Sequence, residues 1–145
     1  MTLVRTPGDS EHHKALRQLA AQPQYELTYV RFEAWCVFYC SVWGEITYQT
    51  GEKRYFWGKG GGLGVGGGIY VAGGPPTYIS KSPSEILGDS GFVFSPLTIG
   101  AQVSFSRNGA AFATLVGAGV GSLGVFGGNA LWTKEPQVDA HGQPL

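Results

Sequence analysis

The residues that could carry out chemistry are few, and their spacing does not bring them together. Gly88-Asp89-Ser90-Gly91 resembles the nucleophile loop of chymotrypsin-like serine proteases, whose serine needs a histidine base and an orienting aspartate. The three histidines, His12, His13 and His141, all lie in terminal segments. We therefore interpret the 88–91 loop as a turn, in which aspartate and glycine have their usual turn roles.

Metal and redox chemistry are no better supported. His12 and His13 would point about 100° apart on a helix, and a zinc site needs at least three protein ligands. Cys36 and Cys40 would lie about 13 Å apart on one face of a strand, which is too far for a bridge, or one turn apart on a helix. We interpret both cysteines as core residues. We therefore predict no enzymatic activity and no catalytic, cofactor or metal site.

Two uncharged, glycine-dense segments, 60–74 and 117–128, flank the centre of the chain. Each contains a G-x-G-x-x-G match, at 62–67 and 119–124, but neither match is followed by the helical pattern that nucleotide binding requires. We predict no nucleotide binding. The segment 113–132 is uncharged and long enough to span a bilayer as a helix.

Glycines 117, 119 and 121 repeat every two residues, which is the period of a strand. This spacing favours strands with one bare face over a membrane zipper built from small residues. A bare face would let another sheet, or the far wall of a barrel, approach closely.

Composition sets the broad class. The 145 residues suffice for one domain, and 43% apolar against 14% charged residues excludes disorder for the body of the chain. Ten basic residues balance ten acidic ones, and no basic cluster beyond Lys53-Arg54 is present, so we predict no nucleic-acid binding. The first 25 residues lack the apolar core of a secretory signal. Localisation stays open between the cytoplasm, a signal-independent export route and a processed form.

The elements needed to position these residues are mainly strands. We predict a short helix over 6–22, and then two strands or one long bent strand over 25–48, with a break near Arg31–Ala34 or at Gly44. Asn108-Gly109 predicts a hairpin turn. Further strands are predicted at 54–57, 69–72, 78–79, 91–94, 97–105 and 112–116, and up to 131–132. Seven or eight such strands are typical of a sandwich or barrel.

The chain then divides into an N-terminal segment with the short helix (1–23), a glycine-rich β-barrel domain (24–133) and a flexible tail (134–145). The large apolar side chains of the predicted strands should fill the core. The predicted core residues are Trp35, Phe38, Trp43, Phe56, Ile69, Val71, Phe94, Ile99, Val103 and Phe112.

The order of glycine and turn signals is similar to that of a known family. Aromatic-rich strands are followed by Gly61-Gly62, by 66–70 (GGGIY), by the Asn108-Gly109 hairpin and by 127–132 (GGNALW). Over roughly residues 25–132 this order resembles the virulence-associated Vap proteins of pathogenic actinobacteria. The resemblance implies a closed eight-stranded barrel with a short helix, without enzymatic activity. It also implies a secreted protein that acts on host phagosomal or lysosomal membranes.

We therefore expect an all-β fold, a compact closed eight-stranded antiparallel β-barrel with a short N-terminal helix. Its function would be that of a Vap-like effector acting by surface contact with a protein partner or a membrane lipid surface, without a cofactor. The alternatives are an intracellular immunity- or antitoxin-like binding module, a lipocalin-type carrier of an apolar ligand, and a membrane-inserting protein that uses 113–132. The oligomeric state stays open.

Overall fold

The computed structural model describes residues 24–72, 78–97, 100–118, 123–139 and 143–145. The predicted helix over 6–22, the three histidines and Ile99 lie outside these residues. The described part is all-β, as predicted. Its strands are β1 (Leu27–Tyr48), β2 (Lys53–Ala72), β3 (Tyr78–Ile79), β4 (Gly88–Leu97), β5 (Gly100–Arg107), β6 (Ala110–Gly117) and β7 (Leu123–Thr133).

The strands form one antiparallel sheet in the order β1-β2-β7-β4-β5-β6-β3. The sheet curls into an open half-barrel, so the prediction of a closed barrel is wrong. The two edges approach each other at Tyr25, whose backbone N–H donates to the Ile79 carbonyl (2.8 Å). Val71 of β2 and Ala118, the residue after β6, also exchange two backbone bonds (3.2 and 3.3 Å). No ladder joins β1 to β3 within the described ranges. Strand β3 is too short to close the sheet, because it has only two residues and both are paired with β6.

Strand β1 is folded back on itself. It has 22 residues, several times the usual strand length, and Phe38 at its midpoint has a left-handed φ of 58°. The Gln49 N–H donates to the Glu26 carbonyl (3.0 Å), and a Cβ at Gly44 would overlap the Arg31 carbonyl oxygen. The two halves therefore lie side by side, and counting them separately gives eight strand segments. Of the two predicted alternatives, two strands or one long bent strand, the structure shows the bent strand, but the bend lies at Phe38 and not at either predicted break.

Aromatic rings fill the concave side of the sheet. The Trp132 ring centroid lies 4.8 Å from that of Phe56 and 4.9 Å from that of Phe105. Because apolar side chains of both halves of β1 and of β2–β7 meet here, the interior is packed. The largest fully buried aromatic side chains are Phe32, Phe56, Tyr70, Phe94, Phe105, Phe112, Phe126 and Trp132.

The core prediction is half right. Trp43, Phe56, Phe94, Val103 and Phe112 are buried as predicted. Four predicted core residues are exposed instead. Strand alternation places Trp35, Ile69 and Val71 on the convex face. The bend of β1 carries Phe38 outward.

Where the structure describes them, the glycine-dense segments lie largely in strands and serve close packing. Gly119 and Gly121, whose spacing predicted strands, lie outside the described residues. In the β2–β7 ladder Gly60 is paired with Gly128. A Cβ at Gly128 would overlap the Lys59 carbonyl oxygen and come within 2.6 Å of the Gly60 Cα. A Cβ at Gly62 would come within 3.0 Å of the Phe126 ring. At these two positions the close approach is between paired strands and a ring packed on them. At Gly117 of β6 an added Cβ would come within 2.6 Å of the Tyr70 Cβ on β2, a strand that is not its neighbour in the sheet, so glycine also permits the predicted approach of distant strands.

Candidate functional site

An exposed apolar projection, which we call the apolar tip, stands where β1 folds back. Val37, Phe38 and Tyr39 are exposed at three consecutive positions, whereas a strand lying on a core buries every second residue. This part of the chain therefore stands away from the sheet. The tip comprises six side chains with 56–79% of their surface exposed: Trp35, Val37, Phe38, Tyr39, Leu63 and Val65.

A disulfide joins Cys36 to Cys40 at the base of the tip, with Cα atoms 4.1 Å apart. The sequence-based distance of about 13 Å holds only for a straight strand, so the prediction that these cysteines cannot bridge each other is wrong. Both are buried and belong to the core cluster, as predicted. The cross-link thus joins the two halves of β1 at the boundary between core and tip.

The β1–β2 ladder breaks at the tip. Val37 is paired with Val65, and Tyr39 with Gly61, so one residue of β1 faces three residues of β2. Of these three, Leu63 is exposed and is paired on its other side with Val125 of β7. The irregularity brings the outward side chains of β2 beside those of the folded β1, which makes the apolar tip continuous across both strands.

The apolar surface continues along the convex face of β2 through Ile69 and Val71, which are also exposed. Their register partners on β1 are Glu33 and Arg31. These two charges pair with each other at 2.9 Å, and the Glu33 side chain is largely buried. The tip itself carries no charged residue, and its nearest charged neighbours on β1 largely neutralise each other.

The C-terminal segment covers another part of the convex face. A small cavity of about 170 Å³ lies between it and the sheet, lined by Arg31, Trp43 and Tyr55 among others, and by residues 136–139. The Gln137 side chain donates to the Leu131 carbonyl (2.8 Å), and the Leu145 N–H donates to the Gln137 carbonyl (3.1 Å). These bonds hold the described part of the predicted flexible tail against the sheet.

The loop before β4 is fixed by hydrogen-bonded polar groups. The Tyr48 hydroxyl donates to the Lys81 carbonyl (2.8 Å), and burial raises the pKa of Tyr48 well above its usual range. Glu85 accepts from the Ser82 N–H (3.0 Å), while the Glu85 N–H bonds the Ser82 hydroxyl (3.2 Å). Hydrogen bonding of the Glu85 carboxyl to Ser82, first to its backbone N–H and then to its side chain, lowers the pKa of that carboxyl. Both arrangements are structural, since the Tyr48 bond ties this loop to β1 and the Ser82–Glu85 bonds satisfy the groups of one turn.

The protease-like loop 88–91 is the start of β4 and not the predicted turn. Ser90 is buried there, paired with Ala130 of β7, so its hydroxyl is not presented to a substrate. In the part of the chain that the structure describes, no three His, Cys, Asp or Glu residues are grouped to hold a metal ion.

Comparisons with protein-family models, with curated proteins and with solved structures found no match. None of the described residues belongs to a helix long and apolar enough to cross a bilayer. The described residues of the segment 113–132 lie in β6 and β7, apart from Ala118, which forms an isolated bridge with Val71.

Sequence reasoning missed the apolar tip, although one signal was available. The run 35–40 (WCVFYC) has four large apolar residues, three of them between two cysteines and the fourth directly before the first cysteine. Three adjacent apolar side chains cannot all face one core from a strand. Taken with a cysteine on each side, the run is also compatible with a cross-linked loop whose side chains point outward.

Proposed function

We propose that this protein is a non-enzymatic binding protein that docks onto a membrane surface through its apolar tip. The observation that carries this role is the exposure of six large apolar side chains, three of them aromatic, on one outward-pointing part of the fold. Exposed apolar patches of this kind mark interaction sites in otherwise folded proteins.

The area of the tip is large enough for binding. An aromatic side chain can bury about 150–250 Å². At the exposures of Trp35, Phe38 and Tyr39, these rings leave on the order of 300–450 Å² to bury. At about 25 cal/mol per Å² this is a gross gain of roughly 7–11 kcal/mol. Association itself costs several kcal/mol, so we expect reversible docking.

Charge and shape favour lipid over a protein partner. Protein interfaces surround an apolar centre with a polar rim and about one hydrogen bond per 100–200 Å², but four of the six tip side chains offer no polar atom at all. Trp35 and Tyr39 combine an apolar ring with one polar atom, the type of residue enriched at the membrane–water interface. A projecting part of the chain can also enter a deformable lipid surface without a matching pocket.

The test is flotation of the protein with phosphatidylcholine vesicles. Replacing Val37 and Phe38 together by serine should weaken partitioning at least tenfold, because each buried side chain of this size is worth about 1.5–3 kcal/mol and tenfold corresponds to about 1.4 kcal/mol. Both side chains are exposed, so stability should change by less than about 0.5 kcal/mol each.

Leu131→Ser is the matched control, since Leu131 is an exposed apolar residue near the other end of β7. It should float like the unmodified protein. Equal flotation of all three proteins would contradict docking through the tip. Failure of every protein to float, together with tight tip-dependent binding of a purified protein, would instead favour a protein partner.

The packed aromatic interior counts against the lipocalin-type carrier, because a ligand would have to displace buried rings. The membrane-docking role does not depend on the Vap resemblance. That resemblance, and with it any role in virulence or as an effector on a host membrane, stays a prediction.

A further inference from the structure

The disulfide that closes the tip is the feature that deepens the proposed function. Cys36 and Cys40 are buried, whereas the three residues between them are all exposed. No core contact therefore fixes the direction of Val37, Phe38 and Tyr39. Their orientation depends on how the two ends of this short segment are held.

The backbone alone holds this segment poorly. The β1–β2 ladder is interrupted between Val37 and Tyr39, which leaves Phe38 without a pairing partner on β2. Phe38 also has a φ of 58°, a region that a bulky side chain rarely adopts and that persists only where the surroundings enforce it. The Cys36–Cys40 bond, with Cα atoms 4.1 Å apart, is a covalent constraint that spans this residue.

From this geometry we infer that Cys36 and Cys40 are positioning residues for the docking site, and that the tip binds lipid only while their disulfide is intact. The inference rests on the proposed membrane docking. The bond holds the three side chains outward before the protein meets lipid, so little conformational entropy is lost in ordering them when it binds. Without it, Phe38 leaves its left-handed conformation and the three side chains no longer enter the lipid together.

The state of this bond then limits where docking occurs. Disulfides persist in oxidising compartments and are reduced where thiol systems operate. Reduction adds two electrons and two protons to the bond and yields two thiols. A dithiol such as dithiothreitol supplies both and becomes a cyclic disulfide. Because both cysteines are buried, a solvent dithiol reaches the bond slowly in the folded protein.

The experiment compares the oxidised protein with Cys36→Ser/Cys40→Ser by two measurements. Flotation with phosphatidylcholine vesicles should show partitioning at least tenfold weaker for the double variant. Amide hydrogen exchange without vesicles should be faster in the variant at residues 36–40 and unchanged in β4–β6. A general loss of stability would instead accelerate exchange throughout the sheet, so the pattern separates positioning from a purely structural role.

Two results overturn the inference: vesicle binding by a folded double variant equal to that of the oxidised protein, or unchanged exchange at 36–40. The exchange result does not depend on lipid. If the oxidised protein fails to float, the proposed function fails while the positioning role is still decided by exchange.

If the double variant does not fold, the experiment uses the unmodified protein reduced with dithiothreitol instead. Thiol alkylation and mass spectrometry confirm the reduction. The same two measurements apply, and the same two results contradict the inference.

Discussion

Replacement of Gly128 by alanine tests whether the glycine-dense strands are there for close packing. The added Cβ would lie 2.6 Å from the Gly60 Cα, which is 0.8 Å short of the 3.4 Å at which ordinary contact begins, and it would overlap the Lys59 carbonyl oxygen. Both obstacles are backbone atoms of β2, so β2 and β7 must move apart. The neighbouring Gly127 is a matched control, because a Cβ there would meet only the Phe92 carbonyl oxygen, at 3.4 Å.

The expected magnitude follows from these distances. Overpacking costs about 1–3 kcal/mol, and each ladder hydrogen bond weakened by the separation adds about 0.5–1.5 kcal/mol. Alanine recovers roughly 0.5–1 kcal/mol of backbone entropy relative to glycine. Gly128→Ala should therefore lower the free energy of unfolding by about 1–3 kcal/mol. Gly127→Ala, which creates no close contact, should leave it unchanged or raise it by up to about 1 kcal/mol.

Urea unfolding followed by tryptophan fluorescence measures the difference. With a denaturant slope of about 2 kcal/mol per molar, the midpoint of Gly128→Ala should fall by roughly 0.5–1.5 M. Midpoints for the two variants within the experimental error of each other would refute the close approach of β2 and β7.

Two further predictions concern pH. The lowered pKa of Glu85 means that its bonds to Ser82 stabilise the folded state above the ordinary carboxyl pKa, and that this stabilisation is lost as the pH falls. Glu85→Gln should therefore reduce the fall in urea midpoint between pH 6 and pH 3. An equal fall in both proteins would contradict this assignment. The raised pKa of Tyr48 means that the folded state keeps a proton that the unfolded state releases, so stability should decline as the pH rises past 10.0, the ordinary value. Tyr48→Phe loses the bond to the Lys81 carbonyl, which should lower the free energy of unfolding by about 0.5–1.5 kcal/mol at neutral pH, but it should not show this alkaline decline. Equal alkaline slopes in both proteins would be inconsistent with a buried Tyr48.

The sequence predicts strands and hairpins well where local rules apply. Asn108 and Gly109 both have positive φ (54° and 79°) between β5 and β6, as an Asn-Gly hairpin requires. The first glycine-dense segment also lies in a strand over its described residues 60–72, as predicted. In each case the conformation depends on residues close together in sequence.

The faces of the strands could not be predicted as well. Alternation identifies the buried side of a strand only when the other side is polar, and in β1 and β2 both sides are apolar. Phe32 and Trp35 are equally suited to a core by type, yet Phe32 is buried and Trp35 is exposed. The choice between them depends on the curl of the whole sheet.

The bend of β1 and the disulfide could not be predicted from local sequence rules either. The residues between the cysteines include no glycine, proline, asparagine or aspartate, which are the usual signals of a turn. A spacing of four along a strand excludes a bridge unless the strand folds back at that point. The prediction of a closed barrel is wrong for a similar reason, since closure depends on pairing between the two edge strands of the sheet, which are far apart in sequence.

The most direct test of membrane docking through the tip is the fluorescence of Trp35 on phosphatidylcholine vesicles. Of the four tryptophans, Trp35 is exposed, Trp57 is half-buried, and Trp43 and Trp132 are buried. Docking predicts that emission shifts to shorter wavelength on addition of vesicles, that a quencher attached to the lipid chains reduces it, and that Trp35→Phe abolishes both effects. An absence of any shift in the oxidised protein, or the same shift in Trp35→Phe, would contradict docking through the apolar tip.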